Sequence, residues 1–306
     1  MTLIDLKGRV AIVTGASGGL GRQHALALAK RGAKIVVNDL GGTVDGRGGS
    51  LTAAETVARE IEALGGVAIA NGASVTDRAQ VEAMVAETVA RWGRVDILVA
   101  NAGILRDKTF AKMDLADFRA VLDVHVMGSV YCAKAVWRGM QDRKFGRIVF
   151  TTSASGLYGN FGQSNYGAAK MALVGLMNTL ALEGAKYNIR VNCLAPTAAT
   201  RMVDGLMPED QFAVFDPALV APAVVALAAD HAPTKTILCA GGGTFEVAQI
   251  TLTDGLHLGA GDGVAEAILD RFDRLTDPAG QRVPADAAEQ GLHERRKAGL
   301  VASKRV

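Results

Sequence analysis

The sequence is poor in several residues that would commit it to particular chemistries. Its three cysteines, Cys132, Cys193 and Cys239, are far apart and form no CxxC pair. That gives no basis for a disulfide framework or a zinc cluster, and they read as reduced, small core residues. The five histidines, His24, His125, His231, His257 and His293, include no HExxH or comparable spacing, so no metal site is expected. Charge of one sign is also missing: 33 basic against 31 acidic residues leave a net charge of +2. Such a balance gives no support for nucleic acid or a membrane surface as partner. Aromatics make up 5%. No apolar run approaches the length of a bilayer span, and MTLIDLKGRVAIVTG contains no secretory apolar region. The terminal SKRV bears only a superficial likeness to a peroxisomal address, and the expected location is the cytoplasm.

What the sequence has is 36 glycines and 49% hydrophobic residues. Short apolar runs at 9–15, 34–39, 66–71, 95–101, 146–153, 189–196 and 235–240 alternate with helical patterns. These helices are expected at about 19–31, 50–64, 77–92, 114–143, 163–187 and 217–229. Strands that are apolar throughout, without alternation, suit a sheet covered on both faces. The pattern predicts an α/β fold: a doubly wound, Rossmann-like parallel sheet of about seven strands with helices on both faces. The alternation fades near residue 250. The expected organisation is a dehydrogenase-like domain over 1–250 and a C-terminal extension over 251–306, packed on it or trailing from it.

Four motifs fall at strand ends. Thr14-Gly-Ala-Ser-Gly-Gly-Leu-Gly21 follows the first strand and opens a helix. Glycines there allow a tight turn and close approach to a pyrophosphate, and a helix start offers free N–H groups. Gly15, Ser17, Gly19, Leu20 and Gly21 are therefore candidate cofactor ligands. Asp39 ends the second strand, where a carboxylate can accept both ribose hydroxyls and repel a 2′-phosphate; it could equally cap the NDLGG turn. No cation directly follows Asp39, so NAD is expected over NADP, although Arg22 and Arg47 leave NADP open. Asn101-Ala102-Gly103 ends the fourth strand and Thr151-Thr-Ser153 the fifth. Thirteen residues beyond Ser153, Tyr166 and Lys170 lie four apart on one helix face, where a cation could lower the phenol's pKa. Taken alone, such a pair is more often structural than catalytic.

Together, TGASGGLG, VANAG, Ser153 and Tyr166-GAA-Lys170 resemble the short-chain dehydrogenase/reductase superfamily over roughly residues 5–245. The stretches SASGLYGNFGQSNYGAAK, HVMGS, RMVDGLMPED and GGGTFEV are similar to a narrower branch. That branch holds the (3R)-hydroxyacyl-CoA dehydrogenase unit of peroxisomal multifunctional enzyme type 2 and its stand-alone bacterial relatives. The resemblance implies that Tyr166 is the proton donor and acceptor and that Lys170 is its activator and a ribose ligand. Ser153 would bind the substrate oxygen together with Tyr166. Ser74, Val75, Pro196 and Ala198 would add cofactor contacts, and no metal is implied. It also implies a homodimer or homotetramer, expected to be built on the helices at about 114–143 and 163–187, because MALVGLMNTLAL in the second carries more apolar residues than one packed face needs.

The sequence departs from the superfamily's pattern at two places. His125 stands where most members have an Asn that holds a relay water through adjoining backbone; it is either part of such a relay or a packed helix residue. Ala73 replaces the usual Asp at the adenine edge, leaving that edge to Ser74 and Val75. Met202, Leu206, Met207, Phe212 and Phe215 could form an apolar lid or a helix core face. The expected activity is hydride transfer between a secondary alcohol or ketone and NAD, foremost with a 3-hydroxyacyl-CoA thioester. The alternatives are a hydroxysteroid or other alcohol dehydrogenase and, more remotely, a nicotinamide-binding regulatory protein without turnover.

Overall fold

The computed structural model describes residues 2–46, 48, 50–199 and 214–300. Within it the chain divides into two compact units, Met1–Val247 and Ala248–Val306. The first is built on one sheet of eight strands in the order β3-β2-β1-β4-β5-β6-β7-β8. These are β1 (Val10–Thr14), β2 (Lys34–Asn38), β3 (Val67–Asn71), β4 (Ile97–Ala100), β5 (Gly146–Thr151), β6 (Ile189–Thr197), β7 (Ile237–Gly241) and β8 (Thr244–Ala248). Strands β1 to β7 are parallel throughout, with β1 flanked by β2 and β4. The order therefore reverses at β1, which opens a crevice at the carboxyl ends of β1 and β4.

The central strands are apolar on both faces because helices cover both. Ile12, Val13, Ile35, Val36, Leu98, Val99, Ile148 and Val149 are fully buried. Removing each such side chain from water stabilises the fold by about 1.5–3 kcal/mol. The covering helices are α1 (Gly19–Lys30), α2 (Thr52–Ala63), α3 (Arg78–Trp92), α4 (Leu115–Leu122), α5 (Gly128–Arg143), α6 (Ala154–Tyr158), α7 (Ser164–Gly184) and α8 (Ala221–Ala228). Asp77 caps α3 by accepting from the amides of Ala79 and Gln80, and Asp114 caps α4 through that of Ala116.

All seven expected strands form, and an eighth joins them. Gly242 and Gly243, both at positive φ, make the two-residue turn from β7 into β8. The helix expected over 114–143 is interrupted: α4 and α5 are joined by a π-helical turn, Asp123–Met127, centred on His125. In the second unit, helices α9 (Val264–Asp270), α10 (Phe272–Thr276) and α11 (Ala287–Lys297) accompany an antiparallel bridge between Leu252 and Arg282. Asp254 there pairs with Lys297 and accepts through its carbonyl from His293.

Candidate functional site

The site lies along the carboxyl ends of β1, β2, β4, β5 and β6. Thr14 closes β1 and joins it to the next motif: its hydroxyl accepts from the amides of Asn101 and Ala102, each at 3.0 Å. Asn101 returns two bonds through its side-chain amide, to the carbonyls of Thr14 and Gly15, each at 3.1 Å. Gly15 has φ +64°, and a Cβ there would meet Ala102 Cα at 2.8 Å. A Cβ at Gly21 would sit 2.1 Å from the Gly15 carbonyl. The turn from β1 into α1 is thus closed tightly by backbone and leaves the start of α1 facing the crevice. Gly19 is exposed there, while Leu20 packs against the main core.

Asp39 takes the turn-capping role that the sequence left open. Its Oδ2 accepts from the Ser17 amide at 2.9 Å and its Oδ1 from the Gly41 amide at 2.7 Å. It therefore caps the turn after β2 and binds the glycine turn, while a carboxylate retains acceptor capacity beyond two bonds. Arg22 is bound to Glu60 of α2, by Nε to Oε2 at 2.9 Å and by Nη2 to Oε1. Arg47, Met202, Leu206, Met207 and Phe212 lie outside the described residues. Where an adenine edge is expected, Val75 is buried, and a Cβ on Gly128 would meet it at 2.8 Å. The Ser74 hydroxyl pairs with Thr76 and its amide donates to Gln80. Pro196 lies in β6, Ala198 is buried just beyond it, and the Ala199 amide donates to the Phe215 carbonyl.

The polar centre is assembled by β5, α6, α7 and the π turn. Ser153 caps α6, its hydroxyl accepting from the Ser155 amide at 3.2 Å. Tyr166, the third residue of α7, is hydrogen-bonded to Ser153. Lys170 lies one helical turn on, 3% exposed, with Nζ 5.3 Å from the Tyr166 ring centroid. Among the described residues its hydrogen-bond acceptor is the Thr151 carbonyl, at 2.7 Å. An ammonium has three N–H groups, so capacity remains. The Thr151 hydroxyl is buried without a partner among the described residues, as is that of Ser164.

The electrostatics depart from the expectation that Lys170 would lower the Tyr166 pKa. Burial raises that pKa, a hydrogen bond with Ser153 opposes the rise, and Asp107 adds to it. Burial also lowers the Lys170 pKa to about 7. Both effects have one cause, the poor solvation of either charged form in a buried site. His125 is likewise buried, and burial foremost, then Lys170, holds its pKa well below the usual histidine value. Its ring packs edge-on to Tyr166 at 5.3 Å and against Gly103, where a Cβ would meet Cε1 at 2.3 Å. Its Nε2 lies 3.1 Å from the Ile104 amide and 2.9 Å from the Ile104 carbonyl, and Nδ1 has no partner among the described residues. The His125 carbonyl accepts from the Ser129 hydroxyl at 2.7 Å.

Two neighbours of the centre were not evident in the sequence. Gln163, just before α7, donates to Asp107 Oδ2 at 2.6 Å, and buried Asn165 donates to the Arg106 carbonyl at 2.9 Å. With the Lys108 amide donating to the Gly162 carbonyl at 2.9 Å, these bonds clamp the loop after β4 onto the start of α7. Polar loop residues carry no periodic signal, so only folding reveals the clamp.

A parallel sheet with this strand order, a glycine turn at the crevice and a Ser-Tyr-Lys cluster beside it define a dinucleotide-dependent oxidoreductase. The short chain dehydrogenase family model matches residues 9–210, and the chain belongs to that family. It is 50% identical over 232 residues to the peroxisomal hydratase-dehydrogenase-epimerase of Saccharomyces cerevisiae, covering 76% of this chain and 25% of that protein. The solved full-length peroxisomal multifunctional enzyme type 2 of Drosophila melanogaster superposes with a TM-score of 0.80 at 34% identity. That match covers 97% of this chain and 51% of the other. A 7α-hydroxysteroid dehydrogenase solved with NADH and 7-oxo glycochenodeoxycholic acid superposes with a TM-score of 0.70 at 30% identity, over 78% of this chain and 95% of that one. The chain thus spans a quarter of the yeast relative and about half of the fly one. The family uses a nicotinamide cofactor, and the residues present fit one. The glycine turn leaves no room for a Cβ at Gly21, Asp39 is fixed beside it, and Lys170, with one acceptor among the described residues, keeps N–H capacity. Among the described residues no helix is long and apolar enough to cross a membrane, and no cluster suits a metal ion.

Proposed function

We propose that this chain is an NAD-dependent dehydrogenase of 3-hydroxyacyl-CoA thioesters. The carrying observation is the placement of Ser153, Tyr166 and Lys170 together at the crest of the sheet, on a chain similar in sequence and fold to multifunctional enzymes of peroxisomes. Bound NAD supplies the hydride acceptor, or NADH the donor, at the nicotinamide ring. Ser153 donates a hydrogen bond to the substrate oxygen and stabilises the charge that develops there. Tyr166 takes the hydroxyl proton in oxidation and returns it in reduction. Lys170 binds the cofactor ribose and, when charged, favours the phenolate. Burial around both groups excludes water from the proton transfer.

The preference for NAD is supported by Asp39, whose carboxylate is fixed at the glycine turn, and by the engagement of Arg22 with Glu60, away from a 2′-phosphate role. Equal catalytic efficiency with NAD and NADP would remove this part of the reading. The second reading, a hydroxysteroid dehydrogenase, is favoured by the likeness to the steroid enzyme. A panel of fatty 3-hydroxyacyl-CoA thioesters against hydroxysteroids, with NAD, separates the two; turnover confined to steroids overturns the first. Ser74, Val75, Asn101, Pro196 and Ala198 are proposed cofactor contacts on the same grounds, and residues after 250 are proposed to be a C-terminal extension of the dehydrogenase.

The assembly is proposed to be a homodimer or homotetramer. On α7, Ala168, Met171, Ala172, Gly175, Thr179 and Leu182 form an exposed, mostly apolar stripe at helical spacing. A monomer mass by light scattering at micromolar concentration would contradict this.

A further inference from the structure

We propose that Arg106 is a positioning residue for the cofactor: it latches the segment 40–46 as a strap across the mouth of the crevice, and a bound dinucleotide lies beneath that strap. The proposal rests on the reading of the glycine turn and Asp39 as the dinucleotide site. Residues 39–51 join β2 to α2, a longer path than the roughly two to six residues usual for such connections. Helix α2 packs on β2 and β3, so the direct path would lead away from β4. The segment instead goes toward β4. It is pinched at its base, where the Ser50 amide donates to the Leu40 carbonyl at 3.0 Å and a Cβ on Gly41, at φ +75°, would meet the Ser50 oxygen at 1.9 Å. Its far end is bound to the loop after β4. The Val44 carbonyl accepts from the Leu105 amide at 3.1 Å, and a Cβ on Gly46 would meet Ile104 Cγ2 at 3.1 Å. The Asp45 carbonyl accepts twice from Arg106, from Nε at 3.2 Å and Nη2 at 3.1 Å.

Strand β1 lies between β2 and β4, so these bonds bridge two strand spacings, about 10 Å. What they bridge is the carboxyl end of β1, where the glycine turn and the start of α1 offer N–H groups to a pyrophosphate. The latch is held from two further sides. Arg106 Nη1 donates to Asp117 of α4 at 2.8 Å, and the Arg106 carbonyl accepts from the Asn165 side chain, next to Tyr166, at 2.9 Å. One residue thus joins the strap to α4 and to the helix that carries Tyr166 and Lys170. A planar guanidinium suits this place, because its fork reaches the Asp45 carbonyl while another nitrogen keeps the carboxylate. A strap held in place before binding does not have to be ordered by the cofactor, which favours tight and slowly released dinucleotide.

The test reads cofactor release and strap mobility and needs no substrate. NADH release is followed by stopped-flow fluorescence for the parent, Arg106→Ala and Arg106→Lys. Hydrogen exchange of the amides at 40–46 is measured for each with and without NADH. In the parent, NADH should slow exchange across the strap. In Arg106→Ala the strap should exchange faster, and NADH should leave on the order of tenfold faster, the change that the loss of one or two hydrogen bonds gives. Arg106→Lys keeps a charge for Asp117 but loses the forked bond to Asp45, and its release rate should fall between the two. Asp117→Asn loosens the guanidinium without a change of size and should speed release by a smaller factor, which keeps the test open if Arg106→Ala does not fold. Unchanged NADH release in a variant whose strap exchanges faster, or a parental strap whose exchange NADH leaves unchanged, overturns the proposal. A parent that binds no NADH overturns the reading of the cofactor site, and the strap with it. None of these outcomes bears on whether 3-hydroxyacyl-CoA is the substrate, which the activity panel decides separately.

Discussion

The two ends of the parallel sheet treat their buried polar groups in opposite ways. At the amino ends of the strands most strong donors among the described residues are met, Arg143 Nε excepted. Arg147, fully buried, donates to the carbonyls of Gly146, Asn188, Ala229 and Asp230, and its guanidinium lies 4.2 Å from the Phe145 ring centroid. Buried Asp96 accepts from the Val10 amide and from Arg94. At the carboxyl ends the accounts are left open: the Thr151 and Ser164 hydroxyls and His125 Nδ1 lack partners among the described residues, and Lys170 carries spare donors. Unmet buried groups cost stability, and a fold retains them where something else is to be bound. The amino end is built to hold the sheet, and the carboxyl end to receive a cofactor and substrate.

The sharpest way to break this comparison is at Tyr166. Tyr166→Phe should lower turnover by roughly 10²–10⁴-fold, the range of general acid–base catalysis, while NAD affinity stays near parental. Steady-state rates with a cofactor titration check it, and turnover above a tenth of the parental value would make the motif a plain helix. At the other end, Arg147→Met should strand four carbonyls and destabilise the protein by about 3–5 kcal/mol, read by denaturant unfolding, with ligand affinity in the surviving folded protein little changed.

Lys170→Met should move stability the other way. A lysine whose pKa falls to about 7 in the folded protein binds fewer protons there than in the unfolded chain between pH 7 and its ordinary value of 10.5. Its burial therefore costs stability, most fully below about pH 7, and the cost fades as pH rises toward 10.5. Without cofactor, Lys170→Met should be more stable by about 1–3 kcal/mol near neutral pH, with the advantage gone in strong alkali, and should be inactive. Thermal unfolding across that pH range decides it. The smallest effect is expected at His125. Because burial already keeps its ring neutral, His125→Asn should leave the pH profile in place while changing turnover modestly; a limb lost from the profile would instead give the imidazole a titrating role.

The contrast between the ends also explains what the sequence could reveal. Strands β1, β2, β4 and β5 were legible because burial on both faces makes them apolar nearly throughout, and the partly exposed β3 and β7 were legible as short apolar runs bounded by turns. Strand β8 was not, because GGTFEVA is glycine-rich and its strand residues are mostly exposed. The glycine turn, Asp39, Ser153, Tyr166 and Lys170 were legible as motifs at strand ends and a helix start, and the structure gathers them at the carboxyl ends of the strands. The phenol's environment was not: a spacing of four suggested that Lys170 would lower the Tyr166 pKa, whereas burial raises it and lowers that of Lys170. Spacing reports which side chains share a face and says nothing of how much water they keep. The clamp of Asp107 and Gln163 was hidden for a related reason, since it joins 107 to 163 through two loops whose composition resembles any other polar turn.

The π turn at Asp123–Met127 has a consequence for how this chain can vary. Such a turn winds in one residue more than a regular helix would over the same rise, so deleting a single residue from it restores ordinary winding at little local cost. Its five residues close about the angle that four α-helical residues close, so a deletion inside it leaves α4 and α5 in phase, whereas a deletion within α4 or α5 rotates one against the other by about 100°. The rotation would turn Val121, buried against Ile104 and Ala169, toward solvent, while a deletion inside the turn shifts His125 from its seat beside Gly103 and leaves that cluster in place. The fold should therefore tolerate the loss of one residue better in the turn than in the helices on either side, and a library of single-codon deletions across 115–143 should show soluble, folded protein recovered between 123 and 127.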